Sequence, residues 1–339
     1  MAATELQSTA QELVAGDRGI LAADESIPTI SKRFATIDVE PTEENRRAYR
    51  DMLFATPGLE RFISGVILFD ETIKQASNDG MPFPEVLKKK GVIPGIKVDE
   101  GAKDLAFFPG EKVTEGLDGL RERFAEYRDL GARFAKWRAV ITIGDSIPTE
   151  FCIDANAHAL GRYAALAQEA TLVPIVEPEV LMDGGHSIER CYEVTERTLR
   201  SVFSQLHAHR VHLEGMLLKT NMVLSGTEDP QQASVDKVAS ETLRCLRATV
   251  PPEVPGIVFL SGGQSDELAT AHLNAMNAMG DAPWVLSFSY GRALQAPALN
   301  AWKGSEANVD AGQTALYHRA KLNAAACAGR YSEDMESAA

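Results

Sequence analysis

Short apolar runs recur along the chain, and each is followed by a polar stretch. Continuous apolar runs are typical of parallel strands that are covered on both faces. The segments between the runs have apolar residues at helical spacing, as in residues 115–131 and 187–206. The eight runs lie at residues 19–25, 64–70, 93–99, 133–140, 172–179, 215–221, 256–263 and 284–291.

Eight strands that alternate with helices predict an α/β fold, the (β/α)8 TIM barrel. The alternative is an open, doubly wound sheet, which often has fewer strands. One helix is predicted to begin after Pro41, with Thr42 as its N-cap and Glu43 in its first turn. Another is predicted around residues 232–246.

Charged residues stand at the carboxyl ends of the apolar runs. The sixth run contains Lys219, although a lysine is rarely buried unless it is paired or used. Side chains alternate along a strand, so Lys136 and Arg138 share one face. The same holds for Glu177 and Glu179. Because active sites of barrels lie at the carboxyl ends of the strands, these groups are predicted to converge on one mouth. For any one residue alone, a salt bridge inside the barrel or a solvated loop charge is the competing explanation.

The net charge of −14 narrows the classes of ligand. It argues against nucleic acid or an anionic membrane as a partner, because both require a basic face. An anionic metabolite would need a local basic cluster, and the predicted mouth offers one. Its members are Lys32, Arg33, Lys97, Lys136, Arg138, Lys219 and Arg292.

Two features near the last two strands indicate a phosphate site. The segment LSGGQS, residues 260–265, offers backbone N–H groups and the hydroxyl of Ser261, and barrels often bind phosphate after strands seven and eight. A Gly-Gly pair alone is also explained by a tight turn. Arg292 can make a two-pronged contact with phosphate, which favours the binding site. Cations on both sides of the mouth suggest a ligand with two phosphates.

Lys219 has the surroundings of an amine nucleophile. Apolar neighbours and a second cation, for which Lys136 is the candidate, favour the neutral amine. A neutral amine forms a Schiff base with a ketone, and the protonated imine accepts electrons when an adjacent C–C bond breaks. Glu177 and Glu179 can transfer protons during imine formation, and Asp24 can act as the base for the departing hydroxyl.

The sequence indicates neither a cofactor nor a leader segment. It has no G-x-G-x-x-G turn and no Walker sequence. The four cysteines are far apart and suit a reducing compartment. The first fifteen residues lack the apolar centre of a signal peptide, and no run is long enough to span a membrane. A cytoplasmic location is therefore expected, with the mature form of a plastid protein as the alternative.

A series of longer motifs resembles the class I fructose-1,6-bisphosphate aldolases, which use a Schiff base. These motifs are LAADES, EENRR, ILFDET, PGIKVD, FAKWR, VPIVEPE, LLKTNM, VPPEV, FLSGGQS and SYGRALQ, in the order of the family. The resemblance runs from about residue 5 to about residue 331. It implies one barrel domain over residues 1–331 and a short C-terminal tail over residues 332–339. It also implies reversible cleavage of the phosphosugar fructose 1,6-bisphosphate to dihydroxyacetone phosphate and glyceraldehyde 3-phosphate, and a homo-oligomer, since many relatives are tetramers.

The resemblance also implies roles for individual residues. By matched motif, Lys219 is the Schiff-base lysine, Glu177 is the acid and base of imine formation, and Glu179 is the neighbouring carboxylate. Lys136 is the second active-site lysine, and Asp24 serves the C4 hydroxyl. The residues matched to one phosphate site are Ser261, Gly262 and Arg292, those toward the other are Ser26, Lys97 and Arg138, and Ser289 and Gly291 at the last strand are further candidates for substrate binding.

Two departures from the family pattern change what is expected. Ile27 and Pro28 stand where a small Thr-Gly pair is usual, and the proline stiffens the loop that carries Ser26. Animal members end in a flexible segment whose terminal tyrosine helps to protonate the enamine, whereas the last tyrosine here is Tyr331. The enamine is therefore expected to take its proton from another donor.

Two other functions stay open on the sequence alone. A metal-dependent aldolase polarises the carbonyl with an ion and needs a histidine cluster at the mouth, and no strand end carries a histidine. Activity in EDTA separates it from a Schiff-base enzyme. The sequence HAHRVH, residues 207–212, is interpreted as a surface helix end, because its spacing matches no zinc motif. The second alternative is an inert phosphosugar-binding or scaffold protein on the same barrel, against which the two lysines with Glu177 and Asp24 argue.

Overall fold

The computed structural model describes residues 2–337. Eight parallel strands close into a barrel, which confirms the predicted (β/α)8 fold, and the alternative of an open sheet is wrong. In chain order the strands are β1 (Gly19–Ala22), β2 (Ile63–Leu68), β3 (Ile93–Lys97), the hairpin strands β4 (Ala102–Asp104) and β5 (Lys112–Thr114), β6 (Phe134–Ile141), β7 (Val173–Val180), β8 (Leu217–Thr220), β9 (Gly256–Phe259) and β10 (Val285–Tyr290). Each predicted apolar run overlaps one barrel strand, with bounds that agree to within a few residues, and β10 pairs with β1 to close the barrel.

Helices follow the strands and cover the outside of the barrel. In residues 2–337 they are α1 (Ala2–Val14), α2 (Ile27–Ala35), α3 (Glu43–Ala55), α4 (Asp70–Ile73), α5 (Phe83–Lys89), α6 (Leu120–Asp129), α7 (Glu150–Glu169), α8 (Ile188–Ala208), α9 (Val235–Thr249), α10 (Asp266–Met279), α11 (Arg292–Trp302) and α12 (Val309–Cys327). Within that range no helix has the length and apolar character needed to cross a bilayer.

The helix starts follow from the residues before them. The Thr42 side chain accepts a hydrogen bond from the backbone N–H of Asn45, so the predicted N-cap of α3 is confirmed. The helix predicted over residues 115–131 begins only at Leu120. Its N-cap Gly119 has a left-handed backbone conformation, with φ 66°, which interrupts the helical path before that point.

The hairpin of β4 and β5 has no counterpart in the sequence prediction. Each of its strands has three residues, and β4 is exposed throughout, so there is no apolar alternation to recognise. Asn156 on α7 holds the hairpin against the barrel. Its Nδ2 donates to the carbonyl of Lys112 at 2.8 Å, and its Oδ1 accepts from the N–H of Thr114 at 3.2 Å.

Alternation along the strands divides the barrel interior into an apolar lower part and a charged upper part. Phe134 on β6 packs in the apolar cluster inside the barrel. Lys136, two residues further on the same face, lines the cavity at the carboxyl end. Trp137 points the other way, into the core between strands and helices. On β8, Leu217 and Lys219 repeat the pattern.

Helix α1 closes the amino end of the barrel. Two strand glycines leave room for it, because a Cβ at Gly65 would lie 2.7 Å from Leu13 Cδ2, and a Cβ at Gly256 would lie 2.7 Å from Val14 Cγ1. The side chains that α1 contributes to the interior cluster are Leu6, Ala10, Leu13 and Val14. The lower half of the barrel is therefore filled by apolar side chains.

The segment after α12 folds back onto the barrel helices. The backbone N–H of Tyr331 donates to Asn274 Oδ1 on α10 at 2.9 Å, and the Tyr331 hydroxyl donates to Glu336 Oε1 at 2.8 Å. Glu336 also forms an ion pair with Arg319 of α12, a side chain that is 4% exposed. The predicted C-terminal tail is thus held against the barrel helices as far as Glu336. Its last residues, 338–339, lie outside the described part of the chain.

Shortening one side chain of α1, the helix that plugs the amino end of the barrel, tests how much this helix contributes to stability. Leu13→Ala is expected to lower the free energy of unfolding by about 2–5 kcal/mol, because it leaves a cavity beside the interior cluster. Denaturation in urea, followed by circular dichroism, measures the change. The control is Gln11→Ala on the exposed face of α1, for which no measurable change is expected. Equal unfolding midpoints for the two variants would contradict a packed plug.

Candidate active site

A cavity of about 910 Å³ opens at the carboxyl end of the barrel strands. All of the residues to which the family resemblance assigns a role in the site line this cavity, although they come from seven different strands and the loops after them. They are Asp24, Ser26, Lys97, Lys136, Arg138, Glu177, Glu179, Lys219, Ser261, Gly262, Ser289, Gly291 and Arg292. Their roles stay predictions, but their convergence is a property of the fold.

Two lysines and two carboxylates form a buried ionic network in this cavity. Lys219 Nζ lies 3.0 Å from Glu177 Oε1, and Lys136 Nζ lies 3.1 Å from Glu177 Oε2. Lys136 Nζ also lies 2.7 Å from Asp24 Oδ2. None of the four side chains is more than 11% exposed. Glu177 therefore bridges the two lysines. The sequence predicted Lys136 as a cation beside Lys219, but it did not predict a carboxylate between them.

The pairing keeps the carboxylates of the network ionised. Burial alone would raise the pKa of Asp24, but the charges of Lys136 and Lys219 outweigh it and hold that pKa well below its usual range. Burial would also raise the pKa of Glu177, and the same two lysines, with Arg138, hold it below its usual range. For Lys136, burial would lower the pKa, but Asp24 and Glu177 together raise it. At neutral pH the network thus contains two carboxylates beside a cationic Lys136.

Further ion pairs flank the network. Lys97 Nζ lies 2.8 Å from Asp99 Oδ1, and Asp99 Oδ2 accepts a hydrogen bond from the backbone N–H of Arg138 at 3.1 Å. Arg138 in turn pairs with Glu179, and its side chain is 42% exposed at the mouth. The two glutamates of β7 thus have different partners. Glu177 contacts the lysines, whereas Glu179 holds an arginine at the entrance.

The loop after β9 and the start of α11 form another cationic edge of the cavity. Gly262 has φ +54°, in the left-handed region that favours glycine. Arg292, the first residue of α11, donates to the carbonyl oxygens of Gly262 at 3.3 Å and of Gln264 at 2.8 Å. The Ser289 hydroxyl at the end of β10 is buried and has no hydrogen-bond partner within residues 2–337. Since buried hydroxyl groups are nearly always hydrogen-bonded, this one is a candidate ligand group.

Ser26 lies immediately before α2 and lines the cavity. Its hydroxyl lies 3.1 Å from the Thr29 hydroxyl. Pro28 falls in the first turn of α2, where proline is tolerated because the backbone N–H there has no helical partner. Ile27 and Pro28 therefore start a helix, and they leave Ser26 at the mouth.

Glu25, a carboxylate without a predicted role, ties the mouth to three surrounding helices. It pairs with Arg33 of α2 and Arg50 of α3. It also accepts a hydrogen bond from Gln295 of α11 at 2.7 Å. Burial alone would raise the pKa of Glu25, but the two arginines hold it below its usual value. Arg50 and Gln295 lie inside helices, away from any strand end, so the strand pattern could not reveal them.

One cation that the sequence predicted for the mouth falls outside the cavity. Lys32 lines a neighbouring cavity of about 300 Å³, which it shares with Arg33 and Arg292. The basic cluster at the mouth is therefore smaller by one lysine than expected. His207 lies in the last turn of α8. In the part of the chain that the structure describes, no group of three or more His, Cys, Asp or Glu residues is arranged to hold a metal ion.

The closed barrel with its polar carboxyl end defines a (β/α)8-barrel enzyme. Residues 5–339 match the family described as Fructose-bisphosphate aldolase class-I. A "Probable fructose-bisphosphate aldolase class 1" from Xanthomonas axonopodis pv. citri (strain 306) is 59% identical over 98% of this chain and 99% of its own length. "Fructose-bisphosphate aldolase 4, cytosolic" from Arabidopsis thaliana is 52% identical over 98% of this chain and 85% of its own length.

A solved structure of fructose-bisphosphate aldolase from Plasmodium falciparum, in complex with TRAP and a small-molecule inhibitor, superposes with a TM-score of 0.96. It is 52% identical and is matched over 98% of this chain and 96% of its own. The chain belongs to the class I fructose-bisphosphate aldolase family. The family resemblance and the predicted enzyme class, an aldolase, are therefore confirmed.

The arginine pairing of Glu25 leads to a pH-dependent prediction. Glu25→Gln is expected to lower the free energy of unfolding at pH 7 by about 3 kcal/mol, because it leaves buried arginine charge uncompensated. The folded-state pKa of Glu25 lies below its unfolded value of about 4.3, so its contribution is present above that pH and is lost as the pH falls through the folded pKa. The difference between the variant and the unaltered chain should therefore shrink on acidification.

Urea denaturation at a series of pH values measures this difference. Glu44→Gln is the matched control, since Glu44 pairs with Arg47 at an exposed position, and no measurable change is expected for it. A stability difference for Glu25→Gln that stays constant down to pH values well below 4 would argue against an ionised, arginine-paired carboxylate.

Proposed function

We propose that this chain cleaves and forms fructose 1,6-bisphosphate through a Schiff base on Lys219. The observation that carries the proposal is the bridging position of Glu177, with one carboxylate oxygen 3.0 Å from Lys219 Nζ and the other 3.1 Å from Lys136 Nζ. An amine that attacks a ketone must lose a proton, and an acid must then protonate the departing hydroxyl. Glu177 is placed for both transfers.

Imine formation begins with proton transfer from Lys219 to Glu177, which leaves a neutral amine next to a carboxylic acid. The amine attacks the C2 carbonyl of the open-chain ketose. Glu177 then returns its proton to the carbinolamine hydroxyl, which leaves as water and gives the protonated imine. Lys136 is cationic at the start of the reaction, because Asp24 and Glu177 raise its pKa, and it stabilises negative charge that develops on the substrate oxygens.

Cleavage of the C3–C4 bond needs a base for the C4 hydroxyl. Asp24 is placed for this role, since it lines the cavity and lies 2.7 Å from Lys136 Nζ. The neighbouring lysines keep it ionised, so that it can accept a proton. The C4 hydroxyl gives its proton to Asp24, glyceraldehyde 3-phosphate departs, and the bonding electrons pass to the imine to form an enamine. Protonation of the enamine at C3 and hydrolysis of the imine release dihydroxyacetone phosphate and restore Lys219.

Cationic groups at opposite edges of the cavity suit the two phosphates of this substrate. We assign Ser261, Gly262 and Arg292 to one phosphate, together with Gly291 just before α11 and the buried hydroxyl of Ser289, which has no hydrogen-bond partner among residues 2–337. The groups assigned to the other are Ser26, Lys97 and Arg138. Arg138 reaches solvent while Glu179 holds it in place, and such a pre-oriented guanidinium can bind phosphate with two parallel hydrogen bonds.

The family resemblance also supports three broader proposals. Residues 1–331 form one aldolase domain, and residues 332–339 form its C-terminal tail. The chain assembles as a homo-oligomer, a tetramer as in many relatives. It acts in the cytoplasm on a small phosphosugar, and neither a nucleic acid nor a membrane is its partner. The Arabidopsis relative named as cytosolic is consistent with that location.

Chemical trapping tests the role of Lys219. Borohydride reduction with dihydroxyacetone phosphate, in buffer that contains EDTA, is expected to leave an adduct that peptide mapping locates on Lys219. Lys219→Met should abolish the adduct. Lys136→Met is the matched control, because it also removes one lysine from the ionic network. This variant should still form the adduct on Lys219, although it should cleave the substrate more slowly. An adduct on Lys136 would refute the role assignment, and loss of activity in EDTA would favour a metal-dependent reaction.

Truncation tests whether the tail takes part in turnover. Deletion of residues 332–339 removes Glu336 from the buried Arg319, so the thermal midpoint should fall while turnover at 25 °C drops only modestly. Truncation after Glu336 keeps that ion pair and should leave both quantities unchanged. A loss of several hundredfold in turnover with stability unchanged would show that the tail supplies a catalytic group.

A further inference from the structure

The side chain of Gln264 is fixed in one orientation beneath the loop after β9. It is 3% exposed and follows the two glycines of that loop. Its Nε2 donates to the carbonyl of Ser261 at 3.1 Å and lies 3.7 Å from Met222 Sδ. A carbonyl oxygen and a thioether only accept hydrogen bonds. The amide nitrogen must therefore face them, and Gln264 Oε1 must face the opposite side.

His272 of α10 occupies that opposite side. Its Nδ1 lies 2.6 Å from Gln264 Oε1. Because an amide oxygen accepts only, the proton of the ring is on Nδ1. His272 is 2% exposed, and its Nε2 has no hydrogen-bond partner in the described chain. Burial lowers the pKa of His272 to about 4, so the ring is neutral at physiological pH and its single N–H is committed to Gln264.

These contacts connect the candidate phosphate loop to rigid parts of the fold. Arg292 donates to the Gln264 carbonyl at 2.8 Å, so Gln264 is held through both its backbone and its side chain. Thr270, two residues before His272, donates to Asn323 of α12 at 2.8 Å, which anchors α10. The chain of hydrogen bonds therefore runs from α10 through Gln264 to the carbonyl of Ser261.

We propose that His272 is a positioning residue for phosphate binding, which acts through Gln264 to hold the Ser261–Gln264 turn in its binding conformation. The proposal rests on the proposed function and on the assignment of this turn to the phosphate on the ketone side of the cleaved bond, which dihydroxyacetone phosphate retains. His272 contacts neither the cavity nor Lys219. Two consecutive glycines allow the turn more backbone conformations than other residues would. Arg292 restricts the turn from one side through the carbonyls of Gly262 and Gln264, and the contact of His272 with Gln264 restricts it from the other, which lowers the free energy needed to order the turn when a ligand binds.

Loss of this hydrogen bond should weaken phosphate binding without changing the chemistry at Lys219. His272→Phe keeps an aromatic ring of similar volume but has no N–H to donate. His272→Asn places an amide N–H near the position of Nδ1 and serves as the conservative rescue. The readout is borohydride trapping of Lys219 at increasing concentrations of dihydroxyacetone phosphate, compared with unphosphorylated dihydroxyacetone.

For His272→Phe, the concentration of dihydroxyacetone phosphate that gives half-maximal trapping should rise about fivefold, as expected for one lost hydrogen bond. The trapping rate at saturation should not change. For His272→Asn, the half-maximal concentration should return to within about twofold of the starting value. Dihydroxyacetone should give the same trapping curve with all three proteins, because it has no phosphate.

Two results would overturn the proposal: an unchanged curve for dihydroxyacetone phosphate with His272→Phe, or an equal shift for both ketones. If no adduct forms on Lys219 in any of the three proteins, the unaltered chain included, the proposed function itself fails. A measurement on the unaltered chain covers the case in which His272→Phe does not fold. With nitrogen-15-labelled histidine, the Nδ1–H resonance of His272 should move on saturation with dihydroxyacetone phosphate and not with dihydroxyacetone, and an unmoved resonance would refute the link.

Discussion

Charge pairing in the barrel mouth is the constraint on which the rest of the site depends. An isolated ion at this depth would cost several kcal/mol, so each buried charge needs an opposite charge beside it. Glu177 meets this need for Lys219 and Lys136 at once, and Asp24 completes the balance. The same proximity places an amine, an acid and a second cation within proton-transfer distance. The contacts that balance the buried charges are thus also those on which the proposed reaction depends.

The two ends of the barrel create the conditions for that network. At the amino end, α1 and the lower interior side chains exclude water, so that the base of the cavity is apolar. At the carboxyl end, the same inward-facing rows of β6 and β8 continue as charged residues. Electrostatic interactions are stronger where water is excluded. The plug at one end therefore strengthens the ion pairs near the other, although it touches none of them.

Residues of the surrounding helices hold the loops at the mouth in place. Glu25 extends from the end of β1 but is held by arginines of α2 and α3 and by Gln295 of α11. The turn after β9 is likewise held from below by Gln264, which His272 contacts from α10. In both cases a loop at the mouth gains its shape from helix residues, and three of them, Arg50, Gln295 and His272, do not line the cavity. The geometry of the site therefore depends on the helical layer as well as on the barrel.

The sequence by itself determined the barrel, its eight strands and, apart from Lys32, the charged residues at the mouth. These could be predicted because alternation along a strand is local, and because all parallel strands of a barrel deliver their carboxyl ends to one side. Strand alternation placed Glu177 and Glu179 on one face without separating them, and only the family resemblance gave them different roles. No local pattern revealed Arg50, the position of α1 at the amino end of the barrel, or the short hairpin of β4 and β5. Those features depend on which side chains meet across long stretches of chain. Only the tertiary structure decides such contacts, because residues that are distant in sequence leave no shared local pattern.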